Sequence, residues 1–475
     1  MLLGGELAES AGGGWIDSVN PATEDYIGKV PRATTDDVER AVAAAEKAQR
    51  RWGDLSVARR SEYLLNLCDA ILARADEILS VEVADSGNPI TAMKNDIVGA
   101  VNDVKYFAGL GYEVKGESMP ATVPKNFHFT VREPSGVVGR ILSFNHPIYL
   151  AISGMAAPLV AGNSVILKPS EHTSLSASIL AEIASEILPP GVLSILTGDF
   201  EAGNALVRHP RVKRLSFVGS VATGMAIQRA AAEVAVKHVS LELGGKNPFI
   251  AFPDAPLDKV AAAAVAAMNF SWQGQSCSST GRLFLHDSIY DEVVERILAA
   301  IGTIRIGDPF DPATQMGAIN SKPHLTRIRG HIEAAQSDGA RLLAGGSRPA
   351  GTQFEKGYWC APTVFGDVQQ GMRIAREEVF GPVLSALRWT DVDDVLEQAN
   401  CLQYGLTGVI WTNDITSAMS AVRKLQAGHV WVNGVNAPAR GMPYGRYKNS
   451  GVGREHGMEE LLSYTEEKAV NIMLP

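Results

Sequence analysis

The segment Phe270-Ser-Trp-Gln-Gly-Gln-Ser-Cys277-Ser-Ser sets one cysteine among small and polar residues. A thiol there can be reached and ionised, as a nucleophile must be, and a helix starting after it would add its field and free amides. In Val239-Ser-Leu-Glu242-Leu-Gly-Gly a carboxylate stands inside an apolar run. Burial would raise its pKa towards neutrality, which suits a general base. Each has an ordinary reading as well: a buried packing cysteine for Cys277, a salt-bridged strand-end carboxylate for Glu242. Cys68, in the helical Leu64-Leu-Asn-Leu-Cys68, reads as a packing residue, and so do Cys360 and Cys401 at strand-edge and helix-end positions.

Two further stretches suit a nucleotide. Lys168-Pro-Ser-Glu171 closes the buried run Val165-Ile-Leu, and a Lys and a Glu at a strand's carboxyl end can meet ribose hydroxyls or phosphate. A solvated lysine is an equally common reading. Gly219-Ser220-Val-Ala-Thr-Gly224 lies between a strand and a helix. Ser220 and the helix amides can hold a pyrophosphate there, although the spacing is not G-x-G-x-x-G.

The elements that must position these residues follow from periodicity. Asp36 to Ala48 and Val57 to Ala84 carry apolar residues at three-to-four spacing and read as amphipathic helices. From Ser135 the texture changes to short β-branched runs closed by Gly or Pro, at Gly136 to Ser143, Asn163 to Pro169, Val192 to Gly198 and Arg214 to Ser220. Helix-length segments separate them, at Pro147 to Leu159, Ser174 to Ile187, Glu201 to Val207 and Gly224 to Ala232. Strand alternating with helix is the pattern of a doubly wound α/β domain with a parallel sheet. After Gly244 a second α/β series begins, with helices near Leu257 to Asn269, Ser288 to Ile301, Pro323 to Ser337 and Val392 to Ala399. Its strands are expected near Val383 to Trp389, Gly408 to Trp411 and His429 to Asn433.

The chain has 475 residues, 46% hydrophobic and 20% charged, with net charge -9. That length calls for more than one core, and the acidic balance argues against a nucleic-acid partner. No window approaches 18 uninterrupted apolar residues, and the N-terminus lacks a basic, then apolar, export signal, so no membrane span or export is expected. Four scattered cysteines without zinc-ligand spacing fit a reducing cytosol and no metal site.

Together these motifs resemble the aldehyde dehydrogenase superfamily, from Asn20-Pro-Ala-Thr to Ser463-Tyr-Thr-Glu-Glu-Lys-Ala-Val. Further family motifs fall in order: Ser143-Phe-Asn145-His-Pro147, Pro189-Pro-Gly-Val, Glu377-Glu378-Val-Phe380-Gly-Pro382, Gly428-His-Val-Trp-Val-Asn433 and Pro443-Tyr-Gly-Arg-Tyr-Lys-Asn-Ser-Gly-Val-Gly-Arg454. The resemblance implies a Rossmann-like NAD(P)-binding domain (1–115 and 135–243), a catalytic domain (244–455) and a small β oligomerisation element (116–134 and 456–475). It implies that Cys277 attacks an aldehyde, that Asn145 and the Cys277 N–H hold the oxyanion, and that Glu242 activates a water to release a carboxylic acid. Glu242 favours that hydrolytic branch over transfer to coenzyme A.

For the cofactor the resemblance implies Ile141, Ser143, Phe144, Lys168, Ser170 and Glu171, then Gly198, Phe217, Gly219, Ser220, Thr223 and Leu243, with Glu378 and Phe380 at the nicotinamide riboside. Phe144 replaces the family's usual Trp, and Arg446 stands where Gly is frequent. Glu171 would repel a 2′-phosphate, which favours NAD over NADP.

By motif position the aldehyde tunnel is expected to be lined by His146, Tyr149, Leu150, Ser153, Ser271, Trp272, Ser276, Ser278, Asn436 and Pro438. No aromatic cage for a quaternary ammonium is evident. His146 and the serines suit an aromatic or hydroxylated aldehyde, whereas Arg440, if it faces the tunnel, would suit a semialdehyde. The alternating Phe127, Phe129 and Val131 are expected to pair with Lys468-Ala-Val-Asn-Ile-Met-Leu in a homodimer or homotetramer. Two other classes stay open: a thiol esterase using Cys277 with a His base, and a non-catalytic nucleotide-binding protein.

Overall fold

A computed structural model describes residues 1–436 and 439–474. Its first layer is an eight-stranded sheet in the order Glu6–Leu7, Leu2–Leu3, Leu193–Ile195, Ser164–Lys168, Val137–Ile141, Val212–Gly219, His238–Leu243 and Gly451–Val452. The five inner strands are parallel. Such strands are buried on both faces and read as continuous apolar runs, here Val138, Val165 and Leu167, each no more than 1% exposed. Burying a side chain of that size stabilises the fold by about 1.5–3 kcal/mol. Strand order reverses between Val137–Ile141 and Val212–Gly219, and a crevice opens beyond the carboxyl ends at such a switch point. This is the doubly wound architecture expected.

The second layer is a seven-stranded sheet, Arg341–Ala344, Thr363–Gly366, Val383–Trp389, Arg282–His286, Pro248–Ala251, Thr407–Trp411 and His429–Val432, parallel except for its first strand. Glu242 ends a strand of the first sheet, and Cys277 precedes the strand Arg282–His286 of the second. The carboxyl edge of one sheet thus faces the amino edge of the other. A third sheet pairs Thr465–Ile472 with Phe127–Pro134, Lys468 opposite Val131.

Two expectations need correcting. The helix read through Val57 to Ala84 is two, Val57–Ala73 and Ala75–Ser86. Arg74 leaves helical geometry between them (φ -109°, ψ 20°), and its guanidinium is tied to Glu77 and Glu182. The helix Ile90–Leu110 was not expected; it buries Met93, Ile97, Ala100, Val101, Val104 and Phe107 and so turns Asp96 and Asp103 towards the cleft. No helix among the described residues is long and apolar enough to cross a membrane.

Candidate active site

Between the two sheets lies a cleft of about 1100 Å³, lined by Asn145, Glu242 and Cys277 from three separate elements. Cys277 occupies a turn rather than a helix start, and a strand follows it. The helix field expected behind the thiol is therefore missing. The turn is built from left-handed residues, Asn269 (φ 54°), Gln273 (φ 52°) and Gly274 (φ 68°). A Cβ on Gly274 would lie 2.2 Å from the Gly381 carbonyl oxygen, so only glycine fits. Asn247 Nδ2 donates to the carbonyls of Cys277 (2.7 Å) and Ser279 (3.0 Å), tying the turn to the neighbouring strand. Burial, then the Glu242 carboxylate, push the thiol well above its usual range.

Glu242 is 4% exposed, opposite Gly451 in the antiparallel register, and its buried Oε1 has no hydrogen-bond partner. Burial raises its pKa to about 8, against the pull of Arg446. The Arg446 side chain is itself fully buried, 3.2 Å from Glu455, which lies 3.5 Å from Arg140. The arginine that departs from the family's glycine thus belongs to a buried ion network reaching the general-base candidate. Asn145 Oδ1 accepts from Ser143 Oγ (2.6 Å), and among the described residues no protein group takes its Nδ2, which is a donor available at the cleft wall.

The crevice at the switch point fits a dinucleotide. Ser143, Phe144, Gly219, Ser220, Leu243, Glu378 and Phe380 line the cleft. Ser220 caps the helix Val221–Ala232, accepting from Thr223 N (3.2 Å), and that helix end presents its first amides to the cleft. Gly245 N donates to Glu378 Oε1 (2.8 Å), and a Cβ on Gly244 would sit 2.0 Å from Glu378 Oε2. Burial lifts Glu378 to about 7. Phe380 adopts φ 54°, its carbonyl accepts from His324 Nε2 (2.7 Å), and its ring lies 5.8 Å from that of Phe144. Lys168 and Glu171 pair at 3.0 Å; burial opposes the charge on Glu171, but Lys168 holds it below the usual carboxylate range.

Ile141, Lys168, Ser170, Glu171, Gly198, Phe217 and Thr223 do not line the cleft. Gly198 has a packing reason, since a Cβ there would lie 2.8 Å from Ala202 Cβ, and Phe217 is a core residue whose ring fills the space over Gly219.

Among the tunnel residues expected, His146, Tyr149, Leu150, Trp272, Ser276, Ser278 and Asn436 line the cleft, and Ser153 and Ser271 do not. Ser153 Oγ is spent on the Tyr149 carbonyl of its own helix (2.7 Å). Pro438 lies outside the described residues. Unforeseen were Asp96, Asp103 and Tyr444. His146 Nδ1 meets Asp96 Oδ2 at 2.7 Å with its ring 5.0 Å from Trp272, and Tyr149 donates to Asp103 Oδ2 (2.8 Å). Arg440 pairs with Asp103 at 3.4 Å. The two acids lie seven residues apart on one helix, with Gly99 and Tyr106 on the same face, a periodicity that marks them. Cys68 and Cys360 are buried as expected; Cys401 is exposed, just past the end of the helix Val392–Asn400, with its Sγ bonded to the Gln398 carbonyl.

The aldehyde dehydrogenase family model matches residues 8–470. The chain is 45% identical over 464 residues to the aldehyde dehydrogenase tropH of Talaromyces stipitatus, covering 96% of this chain and 90% of that one. It superposes on the NAD+ complex of aldehyde dehydrogenase from Bacillus cereus with TM-score 0.96 at 36% identity, covering 100% and 96% of the two chains. On 3,6-anhydro-L-galactose dehydrogenase in complex with NADP it gives TM-score 0.97 at 32% identity, covering 100% and 99%. The chain belongs to the aldehyde dehydrogenase family.

Proposed function

We propose that this enzyme oxidises an aromatic or hydroxylated aldehyde to its carboxylic acid with NAD(P), NAD in preference to NADP. The observation that carries the reading is that Cys277, Glu242 and Asn145, from distant parts of the chain, line one cleft beside a crevice that fits a dinucleotide. When bound, the nicotinamide supplies the hydride acceptor. The Cys277 thiolate adds to the aldehyde carbon, and the oxyanion of the thiohemiacetal is held by Asn145 Nδ2 and the Cys277 N–H. After oxidation to the thioester, Glu242 takes a proton from water, which attacks the acyl carbon; the acid leaves and sulfur recovers its electron pair. The helix end at Ser220 would hold the pyrophosphate, Glu378 and Phe380 the nicotinamide riboside, and Lys168 with Glu171 the adenosine ribose. An anionic Glu171 accepts from a 2′-hydroxyl and repels a 2′-phosphate, which is the support for NAD.

The tunnel supports the substrate class. Asp103 pairs with Arg440, and the acidic groups Asp96 and Asp103 repel a semialdehyde's carboxylate. The Trp272 face and the His146 ring suit an aromatic substrate bearing a hydroxyl. Measuring kcat/KM for hydroxybenzaldehydes, straight-chain aldehydes and carboxylated semialdehydes tests this. Preference for the hydroxybenzaldehydes by about tenfold or more is expected from one well-placed hydrogen bond; preference for a semialdehyde would sink the reading. Four unpaired cysteines suit the reducing cytosol, and the chains are proposed to associate as a homodimer or homotetramer through the third sheet.

A further inference from the structure

The surroundings of Cys277 oppose its ionisation. Burial removes water from the thiol, and the carboxyl groups of Glu242 and Glu378 disfavour a second negative charge. No helix begins behind it. One group acts in the other direction: Tyr444 Oη lies 3.6 Å from Cys277 Sγ and favours its ionised form. The position of the tyrosine is set by backbone. Tyr444 and Gly445 pair with Glu455 and Arg454, and a Cβ on Gly445 would collide with the Arg454 side chain at 2.1 Å. The rings of His429 and His456 flank it at 5.7 and 5.9 Å. A thiolate has lone pairs and no proton, so against ionised sulfur Oη must be the donor. Burial, with Cys277 and Glu242 adjacent, raises the Tyr444 hydroxyl well above its usual value, so it keeps its proton while the thiolate forms.

We propose that Tyr444 is a catalytic residue whose hydroxyl donates a hydrogen bond to the Cys277 thiolate and so supplies the ionised nucleophile; this rests on the assignment of Cys277 above. In the step itself the sulfur lone pair forms the C–S bond, the carbonyl π pair moves to oxygen, and the hydrogen bond to sulfur weakens. Tyr444 transfers no proton and ends the cycle unchanged. Its effect is a compromise between two trends. A hydrogen bond to a charged group lowers the thiol pKa by about one unit, giving tenfold more thiolate below the midpoint. Sulfur nucleophilicity falls with basicity at a slope of about 0.4–0.5, which cancels about threefold of that gain. About threefold remains.

The test is the full-length Tyr444→Phe protein, which keeps the ring and loses one oxygen. Alkylation of Cys277 by iodoacetamide is followed against pH by mass spectrometry of the Cys277 peptide, so that the exposed Cys401 does not contribute. The midpoint is expected to rise by about one pH unit or more, and kcat/KM for the best hydroxybenzaldehyde to fall about threefold at neutral pH, the gap narrowing as pH rises. An unchanged midpoint overturns the proposal, and a raised midpoint with unchanged kcat/KM overturns its catalytic part. Retained oxidation by Cys277→Ala would instead overturn the assignment of the nucleophile, a failure that the alkylation profile of Tyr444→Phe does not share.

Discussion

Glu242 is asked to be buried and to act as a base, and the two demands pull its proton in opposite directions. Burial favours the neutral acid and raises the pKa to about 8, while Arg446 favours the carboxylate. A base must be ionised, and the ionised fraction grows as pH rises through that value. Steady-state kcat is therefore expected to climb with pH up to about 8 and then level when acyl hydrolysis limits turnover. Stopped-flow traces at several pH values check this. The burst of reduced cofactor should be followed by a slow phase that quickens with pH, and a slow phase independent of pH between 6 and 9 (roughly two units below and one above that pKa) would contradict the role. The sequence neighbours of Cys277 and Glu242 marked them as candidates, the family resemblance added Asn145, and all three line one cleft. The contact between Cys277 and Tyr444 was not legible in sequence, because 167 positions separate them and only the fold joins them.

At the level of elements, the antiparallel pairing of Glu242 with Gly451 links the two halves of the site. Gly451 has φ 133°, and a Cβ there would lie 2.0 Å from the Leu241 carbonyl oxygen. Gly451→Ala should therefore cost about 1–3 kcal/mol in backbone strain alone, read from urea unfolding, and lower kcat more than it raises the KM for aldehyde because Glu242 moves with the strand. Loss of stability with unchanged kcat would show that the pairing does not position Glu242. Strand and helix alternation was readable because Val165-Ile-Leu and similar runs are closed by Gly or Pro. The helix Ile90–Leu110 was harder to read, because Gly99 and Gly109 interrupt it and Asp96 interrupts its apolar face. Likewise, small and polar residues after Cys277 allow either a helix start or a turn. Asn247, thirty residues away, decides for the turn by bonding its carbonyls.

Across the whole molecule, two mostly parallel sheets meet edge to edge, so that the cofactor crevice of one opens on the thiol turn of the other. Among the described residues none of the third sheet lines that cleft. That sheet's order places Thr465–Ile472 at an edge, next to exposed Ile472, Met473 and Leu474. An open strand edge with apolar neighbours is a surface for a second chain. Sedimentation velocity should find dimers or tetramers for the native protein, and Ala469→Pro, which removes a strand N–H, should shift the population towards monomer. A monomeric native protein would contradict the proposed association. Alternation at Phe127, Phe129 and Val131 made the pairing with Lys468 to Ile472 foreseeable, though Met473 and Leu474, expected in the same pair, lie past the strand's end; what covers the outer edge is not encoded in that alternation.

The proposed reaction stands or falls on an acyl group that passes through Cys277 and leaves by the action of Glu242. It is tested most directly by trapping that group. Glu242→Gln protein is mixed with an aldehyde and NAD without coenzyme A, quenched in acid, and its Cys277 peptide weighed. One acyl group per chain is expected on Cys277, formed in step with reduced cofactor and slow to disappear. Cofactor reduction with an unmodified Cys277 peptide, or an adduct on another residue, would contradict that reaction.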